Sequence, residues 1–190
     1  MTWRATVSVG DPLRLPGDAL ARPVTSSLEG ITPWSRQVEV EGGEDLRLRL
    51  AGQDGLPAGA VLVTPGGALP FELLLHAVLL APDEAVGPSG LLRAFRNVLR
   101  QATEWEVGVL VLPLMGAGPG QLSLEEATEV LADALAELPD GLPPVGGAAE
   151  HGALLDLFIA TASQHEARIV VEILERGLPG RTIHHEGAHP

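Results

Sequence analysis

Pro113-Leu114-Met115-Gly116-Ala117-Gly118-Pro119-Gly120-Gln121-Leu122-Ser123 is the stretch on which the reading of this chain turns. It follows the apolar run Val107 to Leu112, the pattern of a central strand, and it leads into an amphipathic helix. Ser123 and Glu126 have the spacing of a reciprocal capping box, and Leu124, Ala127, Val130, Leu131, Ala134 and Leu138 recur on one helical face. Glycines between strand and helix let backbone amides turn toward a ligand, and the helix start adds free N–H groups and a positive dipole end. Such a corner at the carboxyl end of a strand suits a phosphate or diphosphate, and open α/β sheets bind their ligands there. Glycines also close tight connections, so the same residues read equally as a structural turn.

Working outward, the second half alternates strand and helix. Leu91, Phe95, Val98, Leu99 and Ala102 form a helical stripe with Arg93, Arg96 and Arg100 on the other side. Leu154 to Ala160 reads as a strand, and Ser163 with Glu166 opens a last helix that buries Ile169, Val170, Ile173 and Leu174 and stops at Gly177. This alternation predicts an α/β domain with a mostly parallel sheet. In the first half, Thr2 to Val9 alternates as a strand, and Ala60 to Thr64 and Leu73 to Leu80 read as strands inside the sheet, covered on both faces. Val38 to Val40 and Leu46 to Leu50 alternate on either side of Glu41-Gly42-Gly43-Glu44-Asp45, which reads as a β-hairpin with one wet face. Pro139 to Gly152 reads as a long loop, and Pro179 to Pro190 as a loose tail outside a domain of residues 1–178.

Composition removes whole classes of chemistry. The chain has 190 residues, no cysteine, and a formal charge of −13 from 12 basic and 25 acidic side chains. Thiolate nucleophiles, disulfides and thiolate metal sites are excluded. Every basic residue is arginine, which excludes a Walker lysine or a Schiff base. Aromatics are 3% with no tyrosine, and with the acidic balance this argues against nucleic acid as a partner. No segment has the length or apolarity of a membrane span, and the amino terminus does not read as a signal peptide. A cytoplasmic location is the expectation, with no cofactor and no metal.

Isolated candidates are weighed against plainer roles. His76 sits in a buried strand and reads as a hydrogen-bonded core residue. Asp18, in Gly17-Asp18-Ala19-Leu20, reads by itself as a turn or cap residue. His185-Glu186-Gly187-Ala188-His189 imitates a zinc-protease pattern, but the glycine and the adjacent Pro190 deny it the packed helix that such ligands need.

Taken in order, these pieces resemble the macrodomain family, an α/β module that binds ADP-ribose and in some branches hydrolyses ADP-ribosyl or O-acetyl-ADP-ribose bonds. Val9-Gly10-Asp11 followed by Gly17-Asp18-Ala19-Leu20 is similar to the family's opening strands and its Gly-Asp-Ile-Thr. Gly59 to Pro70, then Leu75-His76-Ala77-Val78, resembles its middle strands, and Pro113 to Gly120 resembles its diphosphate loop. The similarity runs from Thr2 to Leu178. The resemblance implies a three-layer fold: a mixed, mostly parallel central sheet flanked by helices, here with the extra β-hairpin. It implies Asp18 and Ala19 at the adenine end, Gly116, Ala117, Gly118, Pro119 and Gly120 around the diphosphate, and Thr161 where relatives place a ring on the base. The implied ligand is ADP-ribose or a related nucleotide diphosphate.

The departures bear on activity. The family's hydrolases carry an Asn-Ala-Ala-Asn motif, whereas the only asparagine here is Asn97. The expectation is therefore binding without hydrolysis and no catalytic residue. The alternatives are an ADP-ribosyl or O-acetyl-ADP-ribose hydrolase with a catalytic loop rebuilt within Pro23 to Gly43, where Thr25, Ser26, Ser27 and Glu29 are the polar groups to nominate, or a non-catalytic scaffold with a vestigial pocket that pairs through its hairpin edge with a partner or as a homo-oligomer.

Overall fold

The computed structural model describes residues 2–53, 55–82, 87–118, 121–138 and 154–186. Seven strands form one sheet: β1 (Thr2–Val9), β2 (Ala19–Thr25), β3 (Val61–Pro65), β4 (Leu73–Leu80), β5 (Val109–Pro113), β6 (Leu154–Thr161) and β7 (Ile183–Glu186). Their order is β3-β4-β2-β5-β6-β1-β7, with β5 at the centre. Every neighbouring pair is parallel except β3 with β4.

Period-2 alternation sends successive side chains into two separate cores. Ala19 and Ala21, Leu75 and Ala77, Leu110 and Leu112, and Leu155 and Leu157 enter the larger core. It is covered by α3 (Pro88–Glu104), α4 (Leu124–Ala136) and α5 (Gln164–Gly177). Leu20, Val24, Leu74, Val78 and Val111 face the other way. They are covered by a 3-10 turn (Pro12–Arg14) and by α1 (Pro33–Glu41) and α2 (Gly43–Ala51). The result is the expected three-layer, mixed and mostly parallel α/β fold.

The hairpin expected between Val38 and Leu50 is instead the helix pair α1 and α2. Thr32 caps α1 by accepting from the Ser35 amide, and Pro33 occupies its first turn. Leu46 and Leu50, four residues apart, are buried, whereas Leu48 between them is 63% exposed and Val40 is 81% exposed. Two of the three alternating leucines thus also satisfy helical spacing, and Gly43 at φ +82 breaks the chain between helices rather than turning a hairpin. The pairing edge that the hairpin would have offered to a partner or a second copy does not exist.

Two smaller expectations change as well. β3 is an edge strand with half-buried side chains, not an interior one. Ile183–Glu186, expected within a loose tail, pairs in parallel with β1, so the histidines of that stretch lie on a strand. Gly187, Ala188 and His189 of the zinc-like pattern, and the long stretch read as a loop from Pro139 to Gly152, fall outside the described residues. Among the described residues, no helix is long and apolar enough to cross a membrane, and no group of three or more potential metal ligands gathers.

Candidate functional site: a cleft over the carboxyl edge of the sheet

Five of the parallel strands, β1, β2, β4, β5 and β6, run in register toward one edge, and a cleft of about 840 Å³ opens over the ends of β1, β6 and β5. Its floor is Pro113, Ala160 and Thr161, and its two banks belong to the two layers of cover. On one bank lie Asp11, which caps the 3-10 turn, Pro12 of that turn, and Pro33 and Trp34 of α1, with Trp34 packed against the smaller core. On the other lie Ala117, Gly118 and Leu122 to Leu124, packed on the larger core, together with Ala162 and Glu166 at the start of α5.

The glycine corner is built by its own backbone. Leu122 donates to the Gly116 carbonyl at 3.0 Å, Gln121 to that of Gly118 at 3.0 Å, and the Gly118 amide to the Leu122 carbonyl at 3.2 Å. Gly116, at φ +80, has no room for a side chain, since a Cβ would sit 2.7 Å from a Leu91 methyl. Gly118, at φ +138, has open space where its side chain would be. The corner is therefore a tight turn that keeps an open face on the cleft at Gly118, while the amides of Gly118, Gln121 and Leu122 are already bonded within the chain.

Helix starts around the cleft are capped by the chain's own side chains. Thr32 caps α1, and Asp11 accepts from the Leu13 amide at 3.0 Å. At α4, Ser123 Oγ accepts from the Glu126 amide, and Glu126 accepts from the Ser123 amide at 2.9 Å. That backbone bond, joined by the hydroxyl, holds the Glu126 carboxyl below its ordinary range. At α5, Ser163 accepts from the Glu166 amide, and Glu166 closes the Ala162 amide at 2.9 Å. Asp11 and Glu166 bring carboxylates to the cleft, and among the described lining residues there is no arginine or histidine.

Of the residues expected at the site, Ala117, Gly118 and Thr161 line this cleft, and Gly116 supports it from behind. Thr161 is buried and donates to the Ser8 carbonyl at 3.2 Å. Pro119 and Gly120 lie outside the described residues. Asp18 and Ala19 are elsewhere. The Asp18 carboxylate accepts from the Val109 amide at 2.7 Å, and its carbonyl accepts from Glu72 and Leu73, so it clasps the starts of β2, β4 and β5. Ala19 is fully buried beside Leu110 and Leu73. Parallel strands put their starts at the edge opposite the cleft, which removes both residues from the site. Asp11, Trp34 and Glu166 were missed; their signals were a glycine-aspartate pair closing the first strand, a Thr-Pro helix start and a capping glutamate.

The segment between β2 and α1 is held by Arg22, whose side chain is wholly buried. It donates to His76 Nδ1 at 2.8 Å, the Ser35 carbonyl at 2.7 Å, and Glu39 and the Leu28 carbonyl at 3.0 Å each. Because Nδ1 accepts, the His76 proton sits on Nε2 and is donated to Thr64 Oγ1 at 2.8 Å. Burial, then the adjacent guanidinium, pushes His76 well below its ordinary pKa. Thr25 and Ser27, nominated for a rebuilt catalytic loop, bond each other at 3.0 Å, and Thr25 also accepts from the Glu29 amide. None of Thr25, Ser26, Ser27 and Glu29 lines the cleft.

Comparison with known proteins places this geometry. The profile of the macro domain family matches residues 26–131. A macro domain-containing protein from the gbd 3' region of Cupriavidus necator is 29% identical over 143 residues, covering 69% of this chain and 82% of that protein. The Oceanobacillus iheyensis macrodomain with ADP superposes at a TM-score of 0.72 with 18% identity, covering 90% of this chain and 89% of that one. A variant of that macrodomain with ADPR gives 0.70 and 17%, covering 90% and 91%. With more than half of its length matched by the family profile, the chain belongs to the macro domain family.

Proposed function

We propose that the chain is a binding module for ADP-ribose or a related nucleotide diphosphate, and that it binds without hydrolysing. The observation that carries this reading is the cleft itself: about 840 Å³, at the carboxyl edge of the sheet, with a positive-φ glycine corner on one bank. That volume lies within the range of small-molecule sites, and the position is the one where open α/β sheets receive ligands. Asp11, with one carboxylate oxygen on the Leu13 amide, has its other oxygen to accept from an exocyclic amine of a base. The open face beside Ala117 and Gly118 leaves room for the diphosphate against the main chain. Relatives captured with ADP and with ADPR support the ligand class.

Binding without turnover is supported by the bonding of the polar groups between β2 and α1. Thr25 and Ser27 bond each other, Thr25 accepts from the Glu29 amide, and none of Thr25, Ser26, Ser27 and Glu29 lines the cleft. Calorimetric titration with ADP-ribose, ADP and AMP tests the reading. Dissociation constants of about 1 mM or tighter, equivalent to about 4 kcal/mol, are expected, with loss of binding in a folded Gly118→Glu variant. No heat from any of the three ligands at millimolar concentration overturns it.

A further inference from the structure

Along the carboxyl edge, the strand order fixes the order of the cleft's residues. The strands run β1, β6, β5, β2. Asp11 follows β1, Thr161 and Ala162 end β6, and Ala117 and Gly118 follow β5. Trp34 is held on the β2 side, because the next residue, Ser35, donates to the Pro23 carbonyl at 2.7 Å and accepts from Arg22 through its own carbonyl. Asp11 and Trp34 therefore occupy the two ends of the cleft with the glycine corner between them.

Chemically, the Trp34 end differs from the rest. Trp34 is the one aromatic side chain among the described lining residues, and it packs against the smaller core on its far side, which holds the ring in place. Pro33 beside it has no N–H, and Thr32, whose hydroxyl accepts from the Ser35 amide, does not line the cleft. This wall therefore presents a fixed apolar face with few hydrogen-bonding groups. Such a face fits the C–H side of a sugar ring, and its rigidity lowers the ordering cost of contact.

We infer that Trp34 is the specificity-determining residue of the cleft: it takes the sugar carried beyond the diphosphate and so separates ADP-ribose from ADP. The inference rests on the nucleotide-binding reading, which places the base at Asp11 and the diphosphate at the corner.

Titrating wild type, Trp34→Ala and Trp34→Phe with both ligands separates the two ideas. Trp34→Ala should weaken ADP-ribose about tenfold and leave ADP within about twofold, while Trp34→Phe keeps most of the affinity. Trp3 and Trp105 do not line the cleft, so ADP-ribose should perturb tryptophan emission in wild type and not in Trp34→Phe, a readout that stands if the alanine variant does not fold. Equal changes for both ligands, no change, or tighter ADP-ribose binding in Trp34→Ala overturns the inference while the nucleotide reading survives. A wild type that binds ADP but not ADP-ribose also overturns it alone, and a wild type that binds neither overturns both.

Discussion

Arg22 Nε donates to His76 Nδ1 across 2.8 Å between two side chains that have no exposed surface. A protonated His76 would lose that acceptor and set two cations face to face in the core.

The folded chain therefore keeps His76 neutral, whereas the unfolded chain takes up a proton below the ordinary value of 6.5. A depressed folded-state pKa means that this contribution is complete above pH 6.5 and is lost as pH falls below it. The expected loss is up to about 1.4 kcal/mol per pH unit, until His76 itself protonates. Denaturant titrations at several pH values should show this slope in wild type. In His76→Gln, which keeps an acceptor for Arg22, the acid-side slope should shrink by that amount; an unchanged slope would exclude His76 as its source.

Asp11 and Asp18 should separate by readout. Asp18→Ala removes the acceptor for the Val109 amide and should cost about 1 kcal/mol of stability without changing nucleotide affinity. Asp11→Asn should weaken adenine nucleotides several-fold while the melting temperature moves little. Reversal of this pattern would return the base to the opposite edge of the sheet.

Salt provides a separate check on how phosphate is held. The cleft carries Asp11 and Glu166 and, among its described lining residues, no arginine, in a chain of net charge −13. Going from about 0.1 M to about 1 M salt shortens the screening length from about 10 Å to about 3 Å and damps repulsion of an anionic ligand. ADP affinity should hold or improve over that range, and a tenfold weakening would mean that cationic side chains bind the phosphates.

The helices in place of the hairpin can be tested at neighbouring leucines. Leu46 is 1% exposed and Leu48 is 63% exposed. Leu46→Ala should cost about 2–5 kcal/mol, and Leu48→Ala no more than about 0.5 kcal/mol. Comparable losses at both positions in equilibrium unfolding would contradict the helical assignment of α2.

Sequence patterning resolved the parts of this fold with a single compatible period. The α4 stripe and its Ser123–Glu126 box could be nothing but an amphipathic helix start, and β5 is as central as its unbroken apolar run required. Short alternations are ambiguous, because Leu46, Leu48 and Leu50 fit the period of a strand while Leu46 and Leu50, four apart, also fit one face of a helix. The cleft was misread at its acidic end for a topological reason. Gly10-Asp11 and Gly17-Asp18 are the same dipeptide, and only strand direction reveals that one closes β1 at the cleft while the other opens β2 away from it. Trp34 was hidden by the same ambiguity, since a hairpin reading leaves no helix start to carry it.

The grip of Arg22 on the Ser35 carbonyl has a consequence for inheritance. The side chain next along the backbone is the aromatic wall of the cleft, so positions 22, 35, 39 and 76 form a mechanical unit with position 34. Descendants of this chain that exchange the guanidinium must re-anchor that wall by other means, and drift at these positions should be concerted, not independent.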